Sequence, residues 1–194
     1  SKLLLRLILA MLGCIVMGMG VPTGAAYLII AIVLGPALER LGLPTIAAHL
    51  FVVYFGVLSV VTPPVALAAF AAAPIAGAKP METGFEAVRL AIAGFIIPFI
   101  FVYHQDVLII IDGFKLNGLL WAVFVFVISS WLIGTGLSGY DTRHMLIWER
   151  VLRLIVGITV LFPDFLISVP SVIIAIIIRS LLIQPFYIPS SSME

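Results

Sequence analysis

From Ile46 to Ala78 the chain runs for 33 residues without a charged side chain. As one helix that run would be roughly 50 Å long, whereas crossing a bilayer core takes about 20 residues. Its middle carries Thr62-Pro63-Pro64. Tandem prolines remove two backbone donors and clash with the preceding turn, and the residue before a proline is pushed away from helical angles. The sequence therefore predicts a discontinuous helix, 46–61 and 65–78, unwound at Thr-Pro-Pro. The chain as a whole is 63% hydrophobic and only 10% charged, with a mean hydropathy of +1.31. Soluble domains carry about 25% charged residues. These values exclude a soluble enzyme and place the chain among all-α integral membrane proteins. The net charge is +1 and no basic stripe exists, so nucleic acid is excluded as a partner. Cys14 is the one cysteine, which rules out a disulfide framework and reads as a small packed hydrophobe.

A second interruption precedes the first. Gly18-Met19-Gly20-Val21-Pro22-Thr23-Gly24 lies between two apolar runs, Leu3 to Met17 and Ala25 to Leu38. Each run is about 15 residues, or roughly 22 Å of helix, short of a bilayer core about 30 Å thick. Two short limbs joined by a Gly/Pro/Thr tip read as a re-entrant hairpin over 2–38. Non-helical backbone at membrane depth is tolerated only where protein buries it or where it lines a wet cavity, so the tip is a candidate ligand site.

Beyond the broken helix, Lys79 to Glu86 reads as a polar loop. Arg89 to about Tyr103 reads as a crossing with a kink at Pro98. Asp106, Asp112 and Lys115 bracket a short apolar patch, and Leu116 to about Leu137 spans again. Trp131 and Trp148 read as interfacial anchors. Tyr140 to Arg153 is the most polar stretch and reads as a cytoplasmic loop by the positive-inside rule. Lys79–Arg89 falls on the same side, with Glu39–Pro44 and the loop near Asp106 external. From Val151 to Ile178 the chain is apolar apart from Asp164 and Arg153. Two readings stay open there: one interrupted crossing, or a short interfacial piece before a final crossing. The start at Ser1 and the end at Glu194 read as those of a piece of a longer chain.

Paired helix breaks carry the chemistry of secondary transport. Half-helix N-termini aim a positive dipole at anions, and freed carbonyls bind cations. The tip offers Gly18, Gly20, Pro22 and Thr23; the waist offers Ser59, Thr62, Pro63 and Pro64. Hydroxyl and carbonyl oxygens are hard donors for a small cation, with Thr23 and Thr62 the candidate Na⁺ ligands. Glycine lets backbone approach closely. Neither segment holds a carboxylate, which favours Na⁺ over a proton relay; no other cofactor is expected. The plainer reading, glycine and proline that only pack or kink helices, stands beside this one. His49 reads as a local hydrogen-bonding group rather than a ligand.

Gly18-Met19-Gly20-Val21-Pro22-Thr23-Gly24-Ala25-Ala26-Tyr27, Ala48-His49-Leu50-Phe51-Val52-Val53-Tyr54-Phe55-Gly56 and Thr62-Pro63-Pro64-Val65-Ala66 resemble the large membrane subunit of TRAP (tripartite ATP-independent periplasmic) transporters, fused-permease branch, over about 1–163. The resemblance implies a multi-pass inner-membrane permease that imports small organic anions by ion coupling. It implies a periplasmic substrate-binding protein and the rest of the permease (first repeat and small-subunit-like helices) as partners, with the lipid bilayer around them. It also implies an elevator fold whose second inverted repeat is seen here. On that reading 1–104 is the transport-repeat half (hairpin 2–38, broken helix 46–78, helix 89–104), 105–163 adds C-terminal membrane helices, and 164–194 is a further membrane helix.

The last residues, Arg179-Ser180 and then Pro185-Phe186-Tyr187-Ile188-Pro189-Ser190-Ser191-Ser192-Met193, resemble the start of type I signal peptidase. The resemblance implies Ser192 as nucleophile and Ser190 as oxyanion-hole donor. Such a protease needs a lysine base beside its serine. Lys2, Lys79 and Lys115 do not stand in that position, so no peptidase activity is expected of this stretch alone. A gene fusion or the joining of two unrelated sequences would account for it. The alternative function, the anchor and nucleophile segment of a peptidase, requires a lysine-bearing domain after Glu194.

Overall fold

The structure is a computed structural model that describes residues 2–109, 114–141, 144–161, 170, 173 and 174. Ser190 and Ser192 lie outside the described residues, as do Asp112, Arg143 and Asp164. The chain forms two compact units, Ser1–Phe126 and Val127–Glu194. All regular elements among the described residues are helices: α1 (Lys2–Gly18), α2 (Thr23–Arg40), α3 (Thr45–Leu58), α4 (Leu67–Ala72), α5 (Pro80–Leu90), α6 (Ile92–Tyr103), α7 (Leu116–Ser138) and α8 (Ile147–Val160).

In the first unit α3 is the central element. Apart from Thr45, His49 and Tyr54 it is built of apolar residues, as suits a helix with protein or lipid on every side. Ala47, Ala48, Phe51, Val52, Phe55 and Gly56 are buried. α1, α2 and α6 pack around it. Phe51 and Phe55 stack edge-on at 4.7 Å between ring centroids, and Phe99 of α6 meets them at 5.8 and 6.0 Å. Such edge-to-face pairs add about 0.5–1.5 kcal/mol beyond their burial. Leu7 and Cys14 of α1 and Ala26 and Ile30 of α2 close the core from the other side. The outward residues are as apolar as the inward ones: Leu5, Leu9, Leu12 and Val16 on α1 and Leu28, Ile32 and Val33 on α2 are exposed. Lipid is the solvent that tolerates such a surface.

The helical hairpin forms, and its limbs are longer than the apolar runs alone. α1 has 17 residues and α2 has 18, about 26 and 27 Å. α2 is by itself long and apolar enough to cross a membrane, as is α7. The extra length comes in α1 from Lys2 and Gly18, and in α2 from Thr23 and Gly24, which are helical rather than part of the tip, and from Glu39 and Arg40. Gly42, at φ +89°, ends α2 where a side chain would be strained, and its amide bonds back to Glu39 O at 2.8 Å.

The remaining expectations are corrected in three places. Lys79–Glu86 is not a loop: Pro80 fills the first turn of α5, where its missing N–H costs nothing. The stretch expected to cross at 89–103 is divided between α5 and α6, which meet at 42° around Ala91. Pro98 lies inside α6 and is buried. Finally, Glu149, Arg150 and Arg153 are not loop residues but part of α8, with Glu149 and Arg153 buried.

Candidate functional site: the hairpin tip against the helix break

The tip is four residues, Met19 to Pro22. Gly20 reverses the chain at φ +75°, a conformation other residues rarely adopt. Pro22, at φ −55° and ψ 139°, is pre-set to start α2, but it brings no side-chain cap. The first-turn amides of α2 are therefore without a side-chain acceptor. Pro22, Thr23 and Gly24 are exposed.

The break begins as α3 tightens into a 3-10 turn at Ser59–Val61. Thr62 follows in extended conformation, as its place before a proline demands. The Pro63–Pro64 peptide is cis, and Ala66 is left-handed at φ 34° and fully buried. α4 starts at the next residue and is only six residues long, well short of the 65–78 limb expected. Ser59 Oγ donates to Gly56 O at 2.6 Å, and Thr62 Oγ1 donates to Leu58 O at 2.7 Å. A hydroxyl has one donor and two acceptor lone pairs. With both protons engaged on the backbone, each oxygen is left with its lone pairs to offer.

The two interruptions meet. A methyl group on Gly18 would stand 2.7 Å from Ser59 Oγ and 3.2 Å from Gly56 O. One on Gly20 would reach Val65 at 3.9 Å. Only the absence of a side chain at Gly18 lets the end of α1 rest on the last turn of α3. Farther from the tip, the Tyr27 hydroxyl and His49 Nδ1 lie 2.9 Å apart and tie α2 to α3. His49 is thus a local hydrogen-bond partner. From the other side, Gly84 of α5 backs the proline pair: a methyl there would sit 3.0 Å from Pro63.

The structure therefore brings Gly18 and Ser59 into contact, with Thr62, Pro63 and Pro64 continuing the same break. Thr23 is exposed at the start of α2, and the close approach to the break runs through Gly18. Two participants were missed from sequence. Gly56 supplies the carbonyl between Gly18 and Ser59; its spacing of three from Ser59 was the available signal. Ala66 gives no signal, because nothing about an alanine announces a left-handed backbone. No group of three or more His, Cys, Asp or Glu side chains converges among the described residues. The donors on offer at the break are hydroxyl and carbonyl oxygens.

The family profile of the tripartite ATP-independent periplasmic transporter DctM component matches residues 1–116, well over half of the 194. The chain belongs to this family. No curated protein and no solved structure matches it. The matched stretch holds the hairpin, the broken helix and α5–α6, so every element of the joint just described falls within the DctM match. The chain is a membrane-integral permease component of a TRAP transporter. The match stops at the first residue of α7 and does not extend to the peptidase-like end.

Proposed function

We propose that this DctM-family chain is the second inverted repeat of an elevator-type, Na⁺-coupled permease in the bacterial inner membrane. On this reading the permease is multi-pass and imports small organic anions handed over by a periplasmic binding protein. Residues 1–104 form the transport half and 105–163 the added membrane helices. Gly18, Gly20, Pro22, Thr23, Ser59, Thr62, Pro63 and Pro64 form the ion and substrate site.

The observation that carries this reading is the approach of Gly18 to Ser59 and Gly56. It puts a helix end and a helix break together in a chain that is otherwise apolar there. The lone pairs of Ser59 and Thr62, with the carbonyls released by the 3-10 turn and the prolines, suit a small hard cation. The N-terminus of α2, with no side-chain cap, favours negative charge beside it. Cation and carboxylate then neutralise each other, which is a physical basis for coupling. The test is uptake into proteoliposomes by the full permease with its binding protein. Ser59→Ala and Thr62→Ala should each raise the half-saturating Na⁺ concentration about tenfold, the equivalent of about 1.4 kcal/mol. An unchanged Na⁺ dependence in both variants removes this site.

A further inference from the structure

α8 is a helix turned inside out. Its charged side chains point inward: Glu149 is 1% exposed and Arg153 2%. Its outward stripe is Ile147, Trp148, Val151, Ile155 and Ile158, at 78, 57, 49, 55 and 45% exposure. These positions recur every three or four residues along one helical face. The N-terminal half of the stripe opens into a shallow cleft that Leu146 and Leu152 also line, and every residue lining it is apolar.

What lies under the charges explains how they are tolerated. Arg153 Nη1 donates to Thr135 Oγ1 and to Asp141 Oδ2, both at 3.0 Å. Its guanidinium stacks on the Trp131 ring at 5.1 Å. Arg150 donates to the carbonyls of Gly136 and Leu137, which the end of α7 leaves without helical partners. The two helices approach closely through glycine. A methyl on Gly136 would stand 3.1 Å from Leu154 and one on Gly157 2.7 Å from Ile133. Ser129 Oγ crosses to the carbonyl of Gly157. Small residues at the crossing, with hydroxyls joining helix to helix, are how helices pair in lipid. The pairing order, with Gly136 beside Arg150 and Ser129 beside Gly157, makes α8 antiparallel to α7.

We infer that α8 enters the hydrocarbon of the membrane alongside α7, and that its Ile147–Ile158 face binds lipid acyl chains directly. Because α7 is long and apolar enough to cross, an antiparallel partner runs along the membrane normal rather than flat on the surface. Ser129 lies nine residues before Ser138, so the Gly157 end of α8 is roughly 13 Å deeper than the corner. Trp148 sits at the shallow end, where an amphipathic ring prefers the headgroups. Arg153 lies near the same level as Thr135, close to the corner and shielded by α7. A face with no charge, on a helix whose charges are all turned away from it, complements hydrocarbon and neither water nor an anionic partner. The inference does not depend on the ion site proposed at the hairpin and the break; it rests on the added membrane helices proposed for 105–163 and gives α8 among them a lipid-facing side.

The test is spin labelling of the full chain in phosphatidylethanolamine–phosphatidylglycerol vesicles. Cys14→Ala provides the background, and single cysteines replace Ile147, Val151, Ile155 or Ile158, with Val156 as a buried control. Relaxation enhancement by dissolved oxygen should exceed that by a water-soluble nickel chelate at 151, 155 and 158, and their ratio should grow from 147 to 158. The Val156 label should respond weakly to both. Strong response to nickel along the stripe would mean an aqueous face and overturn the inference. Weak response to both reagents there would mean a protein cover, by residues 162–194 or another subunit, and would overturn it equally. The four stripe side chains point outward, so their replacement leaves the α7 contact intact; unchanged thermal unfolding of those four variants verifies that.

Discussion

At the scale of single residues, the joint between hairpin and broken helix depends on one hydrogen atom standing where a methyl would be. Gly18→Ala should strain the contact with Ser59 and Gly56 by about 1–3 kcal/mol, the range for overpacking a closed site. Alanine's better helix propensity, up to about 1 kcal/mol, offsets part of it. Removing the obstructing oxygen should relieve the strain, so Gly18→Ala/Ser59→Ala should unfold at a higher temperature than the additive sum of the single variants predicts. Additive behaviour in this cycle, measured by thermal unfolding in detergent micelles, would show that the two residues do not touch. Tyr27→Phe removes the hydroxyl that joins α2 to His49. It should cost about 0.5–1.5 kcal/mol, the usual net worth of such a bond. The same assay in a Tyr27→Phe/His49→Ala pair should show coupling of that order.

At the scale of elements, the difference between reading and structure has a common cause: sequence marks where a helix fails but not how far a neighbour extends it. Gly18–Gly24 was legible as an interruption from its composition, yet Thr23 and Gly24 joined α2 because Pro22 had already fixed the helical start. The kink expected at Pro98 moved to Ala91, which no breaker residue marks. The first half of α8, as far as Arg153, reads as loop for a similar reason. Arg150 and Arg153 look solvated when counted, and only the fold shows that they are partnered, by the carbonyls at the end of α7, by Thr135 and by Asp141. The Arg153–Asp141 pair is the sharpest consequence. Its side chains are 3% and 19% exposed, so Asp141→Ala leaves a guanidinium inside the α7–α8 contact with Thr135 Oγ1 as the acceptor for Nη1. Removing one partner of a buried pair costs about 3–5 kcal/mol. The partial exposure of Asp141 puts this one at the lower end. A drop in the thermal unfolding midpoint, absent in Asp141→Glu, would identify the charge rather than the packing as the cause.

At the scale of the whole molecule, the chain is a DctM-family permease component whose helices present apolar residues to the outside as well as to the core. Its membrane topology is testable in the first unit. If α3, the break and α4 together carry the chain across the bilayer, cysteines at Arg40 and at Lys79 should react with an impermeant maleimide from opposite sides. Labelling of both from the same side would mean that the break turns the chain back and would remove the arrangement proposed for the site. Sequence alone determined the class of solvent, the two points at which helix must stop, and the family. Each follows from local chemistry: charge count, proline and glycine geometry, and short ordered strings. Tertiary structure alone decided that the two stops touch, through Gly18, Gly56 and Ser59, and that α8 hides its charges and displays its apolar face. Those facts depend on which residues from distant parts of the chain come within a few ångströms, and close packing rather than local propensity sets that distance.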